Sequence, residues 1–174
     1  MSGPQITVLG VGNVLYSDEG VGIKVAQVLE QRYSFPDNVV VVDGGVLGVH
    51  LMGVIASADH LIVVDAVCNG GQPGDLHRLA GDQIPSRILA KNSLHQVDLL
   101  EALTMCEAID SRPETVIIGV EPEDMQTFGL ELTATVAGKI DELVAMVLAE
   151  LERLGVKAKK RPKPLGRVDI GLPT

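Results

Sequence analysis

Short apolar, β-branched runs recur along the chain, each followed by a turn-rich stretch and then by a helix-spaced pattern. Residues 6–9 (ITVL), 39–42 (VVVV), 61–64 (LIVV) and 115–120 (TVIIGV) are apolar on both faces, which suits parallel strands covered on both sides. Between them, Val21, Val25, Val28 and Leu29 share one face of a helix, as do Leu47, Leu51, Val54 and Ile55. A third helix is predicted over residues 96–107 and a last one over residues 132–154. Ser17 or Asp18 is placed to cap the first helix, with Glu19 in its first turn. Residues 69–91 break the pattern and read as an irregular insertion, with an antiparallel edge strand at residues 74–79 (GDLHRL). The alternation predicts right-handed βαβ units in a three-layer α/β/α domain, around a mostly parallel, roughly five-stranded mixed sheet with one antiparallel strand.

Composition narrows the partners. The 174 residues fit one domain that needs no disulfide or metal staple. Apolar residues make up 46%, but with two Tyr, two Phe and no Trp there is no aromatic platform on which bases would stack. A net charge of −9 argues against nucleic acid, whose binding rests on Lys and Arg neutralising phosphates. Six of the 14 basic residues (Lys157, Lys159, Lys160, Arg161, Lys163, Arg167) lie in the last eighteen positions beside several prolines. Residues 156–174 therefore read as a flexible, solvated tail following a single domain at residues 1–155. Cys68 and Cys106 are too few and too far apart for a disulfide framework or a CxxC site, which fits a reducing compartment. The first residues lack the basic and apolar regions of a signal peptide, and no stretch is apolar enough to span a membrane, so a cytoplasmic protein is expected.

In an open parallel sheet, ligands bind beyond the carboxyl ends of the strands. Here the strands are followed by GVGNVLYSDEGVG, DGGVLG, DAVCNGG and EPEDMQTFGLEL, and all four carry carboxylates. Gly10 and Gly12 suggest a dinucleotide fingerprint, but Leu15 stands where its third glycine or alanine belongs, and Asp18 and Glu19 would repel a pyrophosphate at the helix start. Gly10 and Gly12 are instead expected to let the backbone turn sharply. Asp65 closes the run LIVV, where an unpaired carboxylate costs several kcal/mol, so it needs a cation or strong donors. Taken singly, Glu19 reads as a helix-dipole partner, and His95 (KNSLHQVDLL) serves equally as a first-turn residue satisfied by water. Together Glu19, Asp65 and His95 form an O,O,N donor set suited to divalent Ni, Zn, Mn or Fe, with positions left open for water or substrate. HExxH and GxSxG motifs are absent, and neither cysteine has a recognisable histidine partner, so no protein nucleophile is evident.

At these residues the chain resembles the hydrogenase maturation endopeptidases. The matching elements, in family order, are VLGVGNVLYSDEGVG, VVVVDGGVLG, ADHLIVVDAV, SLHQ and GVEPEDMQTFGLELT, which together extend to about Leu154. The resemblance implies a phosphorylase/hydrolase-like fold and an endopeptidase that trims the C-terminal extension of a nickel-iron hydrogenase large-subunit precursor. It also implies that the nickel arrives inside the substrate and is bound through Glu19, Asp65 and His95, a site that Zn, Cd or Mn would also occupy in vitro. Asp43 in DGG matches a further family signature, with a catalytic role or a role in shaping the cleft. Val46 departs from the Thr that often follows DGG, and the tail KAKKRPKPLGRVDIGLPT lies outside the resemblance. A monomer is expected, because the cleft must admit a protein. A metal-binding chaperone that holds the precursor without cutting would use the same ligands, whereas a nucleotide-binding module fits worse for the reasons given above.

Overall fold

The computed structural model describes residues 3–45, 50–84 and 94–163, except for the side chains of residues 50, 94–98 and 100. Strand β1 (Ile6–Gly10) leads through a 3-10 turn (Ser17–Gly20) into helix α1 (Val21–Arg32), and β2 (Tyr33–Ser34) and β3 (Val39–Asp43) follow. Then come α2 (His50–Ala56), β4 (His60–Ala66), β5 (Leu76–Ala80), α3 (Leu94–Ala108) and β6 (Glu114–Val120). The short α4 (Ala134–Ala137), α5 (Ile140–Arg153) and β7 (Lys159–Lys160) complete the order.

Five strands form one sheet in the order β3-β1-β4-β6-β5, parallel except for β5, which runs antiparallel to β6. The expected mixed sheet and its antiparallel edge strand are therefore present. Alternation along each strand separates two apolar layers. Val8, Ile62, Val64, Val116 and Ile118 pack with α1 and α5, whereas Leu9, Leu61, Val63, Val67 and Ile117 pack with α2 and α3. Buried side chains such as Leu29, Leu143 and Leu151 on one face, and Ile55, Leu99 and Leu103 on the other, make both layers continuous.

Three elements differ from the expected pattern. The last helix is interrupted: α4 ends at Gly138, the Lys139 N–H closes back on Val136 O at 2.9 Å, and α5 then starts at Ile140. Glycine has the weakest helical preference of the residues in that stretch, so the break falls there. β2 and β7 pair antiparallel over two residues each, too few for any alternation to show in the sequence. That pairing also holds the start of the basic segment, because Arg161 Nε donates to Glu30 O and Tyr33 O, at 3.1 and 2.9 Å. Leu47 and Val46 lie outside the described residues.

Candidate active site

The chain leaves β1 for α1 and β3 on one side, and leaves β4 for β5 and β6 on the other. The connections after β1 and β4 thus diverge and open a crevice between neighbouring strands at the carboxyl edge, the usual ligand position in such sheets. Glu19 belongs to the first connection and Asp65 to the end of β4, so both sit at this switch point.

Glycines bring the two together. A side chain at Gly22 would overlap the carbonyl oxygens of Val64 and Val11, and one at Gly10 would overlap Gly22 O. Helix α1 therefore begins in direct backbone contact with the strand ends, one residue short of Asp65 along β4. Gly10 is the last residue of β1 and provides close packing, not the sharp turn expected of it. The sharp turn is at Gly12, whose φ of +133° only glycine adopts readily, and whose missing side chain leaves room for Glu19 O. The Asn13 N–H donates to Glu19 O at 3.2 Å, which fixes the backbone of Glu19 over the edge.

Asp65 is buried, and its Oδ1 accepts the Ala66 N–H at 2.8 Å. Its neighbours Val63 and Val67 face α2 and α3, so alternation directs Asp65 to that same layer. His95 is the second residue of α3, a helix of this layer, and its side chain is outside the described set. Among the described residues no cluster of three His, Cys, Asp or Glu side chains forms a metal site, and the trio expected from the sequence includes His95, whose side chain lies outside the described residues. The connection bearing Glu19 and the strand end bearing Asp65 lie at one edge, α3 with His95 belongs to the layer that Asp65 faces, and a buried carboxylate with a half-buried one is a donor pair suited to a divalent cation.

Asp43 ends β3, pairs in register with Gly10 and is exposed. Its Oδ1 accepts the Gly45 N–H at 3.2 Å, an Asx turn that starts the DGG loop. The register aligns Asp43 with Val64 across Gly10, which places it on the α1 face and Asp65 on the opposite one.

Ser17 or Asp18 was expected to cap the first helix; neither does, and the structure gives Asp18 another role. No side chain caps the 3-10 turn or α1. Asp18 is fully buried, and its carboxylate accepts the N–H groups of Glu123, Asp124 and Thr133 and the Thr133 hydroxyl, at 2.8 to 3.0 Å. It binds the connection after β1 to the one after β6. Thr133 in turn caps α4 by accepting the Val136 N–H.

Sequence reasoning also missed a polar cluster on the far side of the crevice. Asp65, Gly119 and His77 lie in one row across β4, β6 and β5, and Val67 fills the space above Gly119. His77 falls within the edge strand expected at residues 74–79, and on β5 its Nε2 lies 2.9 Å from Glu121 Oε2 and its Nδ1 3.3 Å from Asn69 Nδ2, partners that nothing in the sequence names. Burial would raise the Glu121 carboxyl, yet the Asn69 N–H, the His77 imidazole and the Gly71 N–H outweigh it and hold the group below its usual range. The only signal in the sequence is that Glu121 directly follows a strand end.

A doubly wound α/β domain with carboxylates at its switch point is an enzyme scaffold, and comparison with known proteins says which. A family model described as hydrogenase maturation protease matches residues 23–150, a span that holds Asp43, Asp65 and His95 and begins just after Glu19. The hydrogenase expression/formation protein HoxM of Azotobacter vinelandii is 37% identical, over 99% of this chain and 89% of its own. The hydrogenase 2 maturation protease of Escherichia coli (strain K12) is 38% identical, over 90% of this chain and 96% of its own. The solved structure of the hydrogenase maturating endopeptidase HybD from E. coli superposes with a TM-score of 0.86 at 38% identity, covering 90% of this chain and 98% of that one. The chain belongs to the hydrogenase maturation protease family, and it is a peptidase.

Proposed function

We propose that this peptidase removes the C-terminal extension of a nickel-loaded hydrogenase large-subunit precursor, and that Glu19, Asp65 and His95 read the nickel carried by the substrate. The observation that carries the reading is the burial of the Asp65 carboxylate at a strand end, in the layer of α3, whose second residue is His95, and beside the turn that bears Glu19. A buried carboxylate in such a place is stabilised by a cation, and a site with three protein ligands keeps room for a substrate that brings the metal. Bound nickel supplies Lewis-acid chemistry next to the scissile carbonyl. Zn, Cd or Mn fit the same O,O,N set in vitro.

Asp43 is an exposed carboxylate at this edge, and we assign it the proton from the attacking water. The Asp43→Asn variant tests this, because the amide oxygen still accepts the Gly45 N–H while the base is gone. It should fold normally and lose about 100-fold or more in kcat; unchanged kcat would leave Asp43 a turn residue only.

The His95→Ala variant should fold but leave the precursor uncut, as read by the mass of the precursor's C-terminus. Normal processing by that variant would overturn the ligand assignment. A variant-independent absence of cleavage, with the precursor still bound, would favour a holding chaperone. A monomer working in the cytoplasm, where a precursor is met before assembly, fits this reading. Among the described residues no helix is long and apolar enough to cross a membrane.

A further inference from the structure

Large apolar side chains are exposed at seven described positions, and four of them, Leu15, Tyr16, Phe128 and Leu130, lie on the two connections that Asp18 binds together. The chain has only four aromatic residues, and two of these meet here, with the Tyr16 and Phe128 rings edge to face at a centroid distance of 6.0 Å. Phe128 is 73% exposed and Leu130 59%. An isolated exposed apolar residue means little, but a cluster does, since monomers seldom leave contiguous apolar surface without a use.

The backbone beneath the cluster is rigid. Tyr16 and Gly129 form a bridge, in which the Ser17 N–H donates to Gly129 O and the Gly129 N–H to Leu15 O, both at 2.9 Å. The buried Asp18 carboxylate locks the same two segments from below. Such a surface pays little ordering entropy on binding. It also adjoins the candidate metal site, because Tyr16 O accepts the Glu19 N–H at 3.0 Å.

Charge narrows the occupant. Residues 11–20 and 121–133 contain Glu19, Glu121, Glu123, Asp124 and Glu131 besides Asp18, and no Lys or Arg. The two connections that carry the apolar cluster are therefore acidic, with Glu123 and Glu131 exposed on them, while Asp18 and Glu121 are buried.

We infer that Leu15, Tyr16, Phe128 and Leu130 form the seat for the substrate polypeptide, taking an apolar side chain flanked by Lys or Arg close to the bond to be cut. This rests on the proposed function and extends it, from the metal that is read to the stretch of protein that is held. An aromatic pair on a rigid base is the kind of surface that dominates binding energy, and the acidic connections that carry it favour a basic flank.

The test is Phe128→Ser combined with Leu130→Ser, two side chains that are mostly in solvent, so that thermal unfolding should match that of the unaltered protein. Cleavage of purified nickel-loaded precursor is followed by mass over a range of precursor concentrations, and binding of the same precursor is measured with the His95→Ala protein, with and without the two serines. The inference expects KM and the dissociation constant to rise about tenfold or more, with kcat nearly unchanged. It also expects binding to weaken as salt is raised. Equal KM and equal affinity in the double variant would overturn it, as would a shift of the free protein's sedimentation from dimer to monomer, which would make the patch a contact between copies. The two readings fail separately: if the unaltered protein binds but does not cut, the proteolytic function falls, while loss of that binding in the double variant still supports the seat. If it neither binds nor cuts, both fall.

Discussion

Two adjacent carboxylates, Asp18 and Glu19, divide the work at the mouth of the crevice. Asp18 takes three N–H groups and one hydroxyl from residues more than a hundred positions away, and no pattern local to SDEG could announce this. Glu19, the next residue, stays half-buried on the same connection. Asp65 was legible because a carboxylate closing an apolar strand has to be explained by a cation or by donors, whatever the rest of the fold does. The pairing of His77 with Glu121 was not, because it depends on the expected edge strand lying beside β6 in one particular register, which sequence spacing does not set. Replacing Asp18 by Ala should cost about 3 kcal/mol in chemical denaturation, since it strands buried donors that were bonded to a charge. It should also loosen the Leu15 to Leu130 surface. A loss near zero would mean that the two connections are held by something else.

At the scale of elements, the contact of α1 with the sheet decides whether Glu19 reaches the edge. The sequence announced β1 and α1 through their apolar runs, and it also showed that the third glycine of a dinucleotide fingerprint was missing at Leu15. The close approach that such a glycine provides is made here by Gly22, which lies against Val64 O and Gly10. A periodicity argument sees Gly22 as an ordinary helical position, so its role was hidden until the register of β1 with β4 was known. Gly22→Ala should push α1 outward, lowering stability by about 3 kcal/mol and reducing cleavage more than stability alone explains, because Glu19 moves with the helix. Full activity with native stability would show that α1 can shift without displacing Glu19. The interruption at Gly138 follows a similar logic: the amphipathic stripe runs through it, and only the local preference of glycine and the turn at Lys139 divide α4 from α5.

For the molecule as a whole, acid should act on the sheet edge before the apolar layers. Glu121 is held below its usual range by its donors despite burial, and Glu150 likewise by the bidentate Arg78, with both bonds at 2.9 Å. A carboxyl with a lowered folded pKa adds stability that is complete above its unfolded value, about 4.3 for Glu, and is lost as pH falls through the folded value, where the native state must also take up the proton. Denaturation midpoints should therefore be flat near neutrality and fall on the acid side. Glu121→Gln should make that fall shallower while lowering stability at pH 7; an unchanged acid slope would mean that Glu121 is not among the linked groups.

The central claim, that the three residues at this edge read a metal belonging to the substrate, is tested most directly by the intact mass of the hydrogenase large-subunit precursor after incubation with the pure protein. One sample of precursor carries nickel and the other does not. The account predicts that only the nickel-loaded precursor loses its C-terminal peptide, with no metal added to the protein itself. Equal cleavage of the nickel-free precursor would contradict it.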